Sequence, residues 1–266
     1  MPCYDEIKEI TKKDIAYILE LKKGNPYHDR LGRFTSAGGG TAVSGFTPAK
    51  TIEEAREYAK TALCFSRVDY SYSYIDQKTI RQEMGTLDID TVNHINKTIT
   101  DIQERYPELK GYVKNLECTD RNVYAQAVFS GRDGSCSLQI GAKSYKDGVK
   151  SVYEDWKGDV EFGYHPKGTD GGAVLWHEYG HVYAGRENLS HGGLNSIRNS
   201  KAEADWKNEA AVKLNVAPDS IGSKVSRYAT SSDYELFAEA FAAHNTGNGN
   251  RYTKALIDAA GADRGN

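Results

Sequence analysis

The stretch AVLWHEYGHVYAG, residues 173–185, decides how the rest of the chain is read. Val174, Leu175, Trp176, Tyr179, Val182 and Tyr183 surround a helix of that length with uncharged side chains, so the segment is expected to be a buried helix. Burial makes its ionisable residues conspicuous, because a buried polar group needs a partner. His177 and His181 stand four apart, which puts both imidazoles on one side of the helix about 6 Å apart along its axis. Two neutral imidazoles so placed can fill two tetrahedral positions of one zinc ion. Glu178, one position on, is angled beside such a metal, where its carboxylate can take a proton from water. Gly180 costs about 1 kcal/mol in a helix interior. Its presence implies that something approaches that face closely.

Two histidines alone do not hold a catalytic zinc well, so a third ligand is expected downstream. The candidates are His191, Glu203, Asp205, Glu209, Glu235, Glu239 and His244. A metzincin would place a third histidine six residues after His181, whereas His191 is ten residues on and Arg186 and Glu187 occupy the stretch between. The segment SDYELFAEAFAAH, 232–244, is more persuasive. Glu235 and Glu239 lie one turn apart on a helix whose other positions include Leu236, Phe237, Ala240, Phe241 and Ala243. Two carboxylates on such a helix require partners, and a metal with its histidines supplies them. Spacing alone does not say which of the two would touch the metal.

The whole chain of 266 residues and 29.4 kDa suits one sizeable domain with a short appendage. A net charge of -3 with interspersed signs gives no footprint for nucleic acid. No apolar run is long enough to span a membrane, and the charged residues of 1–13 leave no signal-peptide core, so a soluble protein is expected. Cys3, Cys64, Cys118 and Cys136 form no closely spaced pair and are read as reduced thiols.

Residues 5–22 repeat apolar side chains at helical intervals, and the glycine-rich 25–45 reads as a linker. The domain boundary is placed near Thr47, giving an N-terminal helix and linker at 1–48 and a catalytic domain at 49–266. Within that domain Thr51 with Glu54 predicts a capped helix, and a second helix is expected over 88–105. NVYAQAVF (122–129) and SCSLQIGAK (135–143) predict a β-hairpin, with 135–143 as the sheet-edge strand. Helices are also expected near 202–214, 233–244 and 252–260, and the fold class is therefore α+β.

Taken together, the two motifs resemble the gluzincin peptidases, most closely those with a catalytic domain like that of anthrax toxin lethal factor. There HExxH is followed by a tyrosine and then by a glutamate opening an FAEAF-like helix; here the stretch is Tyr228 to Phe241, and the likeness covers Ala173 to Asn245. The resemblance implies a zincin-like fold with a small sheet, an active-site helix and a C-terminal helical part carrying the third ligand. It implies Zn2+ on His177, His181 and Glu235, Glu239 supporting a histidine, Glu178 as proton shuttle and Tyr228 as donor to the reacting carbonyl. The substrate it implies is a protein or peptide, laid along a sheet edge. A weaker resemblance, carried by NPYHDRLGRFTSAGGG (25–40), is to metallopeptidase domains of phage minor head proteins. It implies a phage or prophage setting, with virion components as partners of the N-terminal segment and a virion-delivered or toxin-like effector role. The competing expectations are a non-enzymatic phage assembly protein with a degenerate zincin fold and a zinc hydrolase of a non-peptide bond.

Overall fold

Thr51 opens the first described helix in a computed structural model that describes residues 46–76 and 80–264. The expected helix at 5–22 and linker at 25–45 lie outside these residues. The Thr51 hydroxyl accepts the Glu54 amide at 3.1 Å and Glu54 Oε2 accepts the Lys50 amide at 2.7 Å, a reciprocal cap that opens helix α1, Ile52–Thr61. Asp88 caps α2, Ile89–Arg105, by accepting the Thr91 amide at 2.9 Å, and Val92, Ile95, Ile99 and Ile102 form its buried stripe. Buried Asn96 joins α2 to its surroundings: it donates to the Ala55 carbonyl at 3.0 Å and accepts from the Tyr70 hydroxyl at 2.8 Å.

The main sheet runs in the order β1 (Arg67–Asp69), β4 (Val113–Thr119), β6 (Cys136–Gly141), β5 (Ala125–Phe129). β1, β4 and β6 are parallel, and β5 returns antiparallel to β6. β2 (Ser71–Asp76) and β3 (Arg81–Thr86) make a separate two-stranded ribbon. The 122–143 hairpin thus forms, but the edge assignment is corrected: 135–143 is an inner strand and β5 is the edge. Cys136, Leu138 and Ile140 are buried on one face as their alternation requires. The polar residues between them, Ser137 and Gln139, bond sideways to Asn115, Glu117 and Gln126 on both neighbouring strands. Alternation reports which face is buried and is silent about which strand is outermost.

Helix α3 (Val149–Glu161) leads through a loop to α4 (Ala173–Arg198), followed by α5 (Lys201–Leu214), α6 (Asp233–Asn245) and α7 (Arg251–Ala259). α4 runs past the expected end at Gly185, with a break at Gly193 where φ is 66°. The architecture is α+β, and among the described residues no helix is long and apolar enough to cross a membrane. Cys64, Cys118 and Cys136 are free thiols.

One hydrophobic core joins α1, α2, the sheet and α4, and takes in Phe237 and Phe241 of α6; a smaller one gathers Ala210, Ile221, Leu236, Ala240 and Leu256 among the C-terminal helices. α4 and α6 cross at Gly180, where an added Cβ would stand 2.8 Å from Ala238 Cα and 3.1 Å from Phe241 Cβ. The close approach expected on that face is therefore the backbone of α6, and it brings the acidic helix onto the histidine helix.

Candidate metal centre

His177 and His181 project from buried turns of α4 toward Glu235 on the first turn of α6. Their Nε2 atoms are 3.1 Å apart, and Glu235 Oε2 lies 3.1 Å from His177 Nε2 and 3.3 Å from His181 Nε2. Tetrahedral bonds of about 2.0–2.1 Å separate ligand atoms by about 3.3 Å, so the three atoms match one face of a zinc tetrahedron. Buried Glu235 Oε2 has no hydrogen-bond partner, as expected of an oxygen reserved for another ligand. The donors present, two imidazoles and a carboxylate, form a group that could hold a metal ion.

Glu239, one turn further along α6, faces the same histidines from behind. Its side chain is 0% exposed. Oε1 lies 3.0 Å from His165 Nδ1 and 2.9 Å from His177 Nδ1, although the His177 N–H axis misses it, and Oε2 accepts from the Ser226 hydroxyl at 2.8 Å. Burial alone would raise the Glu239 pKa; the adjacent His165 and His177 rings outweigh it and bring it to about 2. Glu235 is also lowered, burial again being outweighed by His177 and His181. Burial opposes charge on His177, but Glu235 and Glu239 hold its pKa well above 6.5.

Glu178 turns toward the sheet. Its Oε2 accepts the backbone N–H of Ala127 at 2.6 Å. Gly141 N donates to Tyr124 O, and Ser130 N to Ser135 O, so alternate residues of β5 are bonded to β6 while Ala125, Ala127 and Phe129 direct their backbone groups to the open edge. Glu178 thus binds the sheet at its free margin, beside the metal-binding group. Gly185, one helical turn beyond His181, leaves room for the Phe129 ring, whose nearest atom would be 2.3 Å from an added Cβ. α4 is in this way seated under β5.

Tyr228 stacks on His177 with ring centroids 5.9 Å apart, and Tyr164 covers its other face at 5.0 Å. Burial and the Glu235 carboxylate raise the Tyr228 pKa, so its phenol remains a donor at neutral pH. The segment that carries it is bonded to the loop before α4, through Arg227 N to Gly163 O and Tyr228 N to Tyr164 O, each at 2.9 Å.

Three participants escaped the reading of the sequence. His165, on the loop between α3 and α4, is fixed by Glu239 and by stacking on Trp156 at 3.7 Å. Tyr234 stacks on His181 at 3.7 Å, and Ser226 bridges Glu239 to the Ala229 amide. Of the remaining ligand candidates, Glu203 is buried on Asn188 at 2.6 Å, exposed Asp205 pairs with Lys201, His244 lies 3.6 Å from Asp263, and His191 and Glu209 are exposed.

No family model, curated protein or solved structure matches the chain. What fold and site define on their own is an α+β protein with a buried His–His–Glu group able to hold a metal ion.

Proposed function

We propose that this chain is a zinc-dependent endopeptidase of gluzincin type, with a zincin-like fold in which His177, His181 and Glu235 hold the metal. The observation that carries this reading is the junction of that ligand triangle with Glu178 at an open strand edge. A structural zinc site would need neither a carboxylate poised beside it nor a free edge. Bound zinc supplies Lewis-acid activation of water and of the scissile carbonyl.

The protein's own residues would do the rest. β5 offers the outward backbone groups of Ala125 and Phe129, with the Ala127 carbonyl, to an extended peptide. Glu178, oriented by the Ala127 N–H, takes the proton of the attacking water and delivers it to the leaving amide nitrogen. Tyr228 donates its phenolic hydrogen to the oxygen on which negative charge develops. Glu239, with His165 and Ser226 behind it, holds the His177 ring in place. The phage or prophage setting is a separate proposal that rests on residues 25–40.

Elemental analysis of protein purified without chelator, paired with hydrolysis of an unfolded protein substrate, tests the reading. About one zinc per chain is expected, and Glu178→Gln should retain it while losing nearly all hydrolysis. Absence of stoichiometric metal, or full activity of Glu178→Gln, overturns it.

A further inference from the structure

A cavity of about 390 Å³ opens beside the metal-binding group, between the start of β5, α3 and the first turns of α4. Glu178, His177 and Tyr228 line it together with Tyr124, Asp155 and Asp159. Its volume is at the small end of the range for ligand pockets, suited to one long side chain.

Besides His165 and His177 of the metal-binding cluster, the ionisable side chains that line this cavity are carboxylates and tyrosines. Three carboxylates line it, those of Asp155, Asp159 and Glu178, and among the described residues neither a lysine nor an arginine does. The cations of α3 are engaged elsewhere, Lys150 with Glu154 at 3.5 Å and Lys157 with Glu161 at 3.6 Å. Asp159 is held by the Tyr124 hydroxyl, which donates to its Oδ2 at 2.8 Å, and forms no ion pair among the described residues. Asp155 is exposed at the mouth. Among the described residues the only group spaced to hold a metal ion is His177, His181 and Glu235, so the acidic wall is not a second metal site. Carboxylates gathered in a low-dielectric cleft concentrate the opposite sign of charge.

We infer that this cavity receives a lysine or arginine side chain of the substrate, from a residue flanking the scissile bond. The inference rests on the peptidase reading for the word scissile, and on the cavity alone for the preference. An anionic side chain here would be repelled by Asp155 and Asp159, and an apolar one would desolvate Asp159 with the Tyr124 hydroxyl in place of a cation.

The test uses the zinc-loaded full chain with a peptide library for cleavage, and fluorescence anisotropy of three peptides identical except for arginine, alanine or glutamate at one position. Cleavage should be enriched for lysine or arginine at one flanking position. Asp155→Asn with Asp159→Asn, which keeps an acceptor for Tyr124, should lower kcat/KM for the arginine peptide about tenfold or more, as expected for loss of charge-assisted bonds. The same variant should leave the alanine peptide within about twofold, and Asp159→Glu should restore the preference. A structural role would depress both peptides together, which overturns the inference. Cleavage without basic preference overturns it while sparing the peptidase reading. Selective binding of the arginine peptide with no cleavage of any library member supports the pocket and overturns the peptidase instead. No selectivity in either measurement overturns the inference.

Discussion

Glu235 and Glu239 meet the same histidine from opposite sides. One presents an unpartnered oxygen to both Nε2 atoms, and the other binds His165 and Ser226 behind the His177 ring. Truncating the first removes a ligand, whereas losing a carboxylate behind a ligand typically weakens affinity about 10–100-fold. Glu235→Ala should therefore release zinc at chelator concentrations that Glu239→Ala withstands, and a competitive titration showing the reverse order would exchange their roles. Tyr228→Phe should keep its ring stack on His177 and hold zinc, yet lower turnover by roughly a hundredfold, the cost of one oxyanion donor. Unchanged turnover would leave Tyr228 as a packing residue. His177, His181 and the acidic pair were legible because helical spacing puts them on one face. His165 was not, since it meets Glu239 across 74 residues of chain and its loop has no periodicity to read.

Among the elements, helix starts are marked in places by side-chain caps, whereas α4 and α5, which have none, were readable from their composition and periodicity. Thr51, Asp88 and Ser232 each accept an amide of the turn they open, so the starts of α1, α2 and α6 follow from local chemistry. β4 was missed because its burial does not alternate: the register shifts between Val113 and Asn115, and the buried positions Val113 and Leu116 fall three apart. The β2–β3 ribbon is largely exposed and so lacks a buried face to mark it. Gly180 is where element packing reaches the site. Alanine is normally the better helix residue by about 1 kcal/mol. Here its methyl would press on the Ala238 backbone, which cannot move without carrying Glu235 and Glu239 with it. Gly180→Ala is thus expected to lower the Tm and to weaken zinc binding together, whereas a higher Tm with unchanged zinc affinity would show that α4 and α6 have slack at their crossing.

At the scale of the whole molecule, acidity should act on the metal-free and metal-loaded chain in opposite directions. Without metal, Glu235 and Glu239 favour the protonated His177, whose pKa is held well above 6.5. A raised pKa contributes stability that is complete below the ordinary value and is lost as pH rises through the folded one. The lowered pKa values of Glu235 and Glu239 contribute stability above their ordinary 4.5 that is lost as pH falls through the folded ones. The metal-free chain should accordingly gain most from this cluster between the two ordinary values, 4.5 and 6.5, and decline above them. Zinc requires neutral imidazole, so its binding displaces the His177 proton and strengthens with pH until that proton is gone. Ligand binding raises stability by RT ln(1 + [L]/Kd), which converts the stronger binding into a higher Tm. The Tm difference between zinc-loaded and chelated protein should widen from about pH 6 to about pH 8 at fixed free zinc. Paired thermal melts across that range decide it: a constant or shrinking difference would mean that no proton leaves the cluster when metal enters, and that His177 is not a ligand.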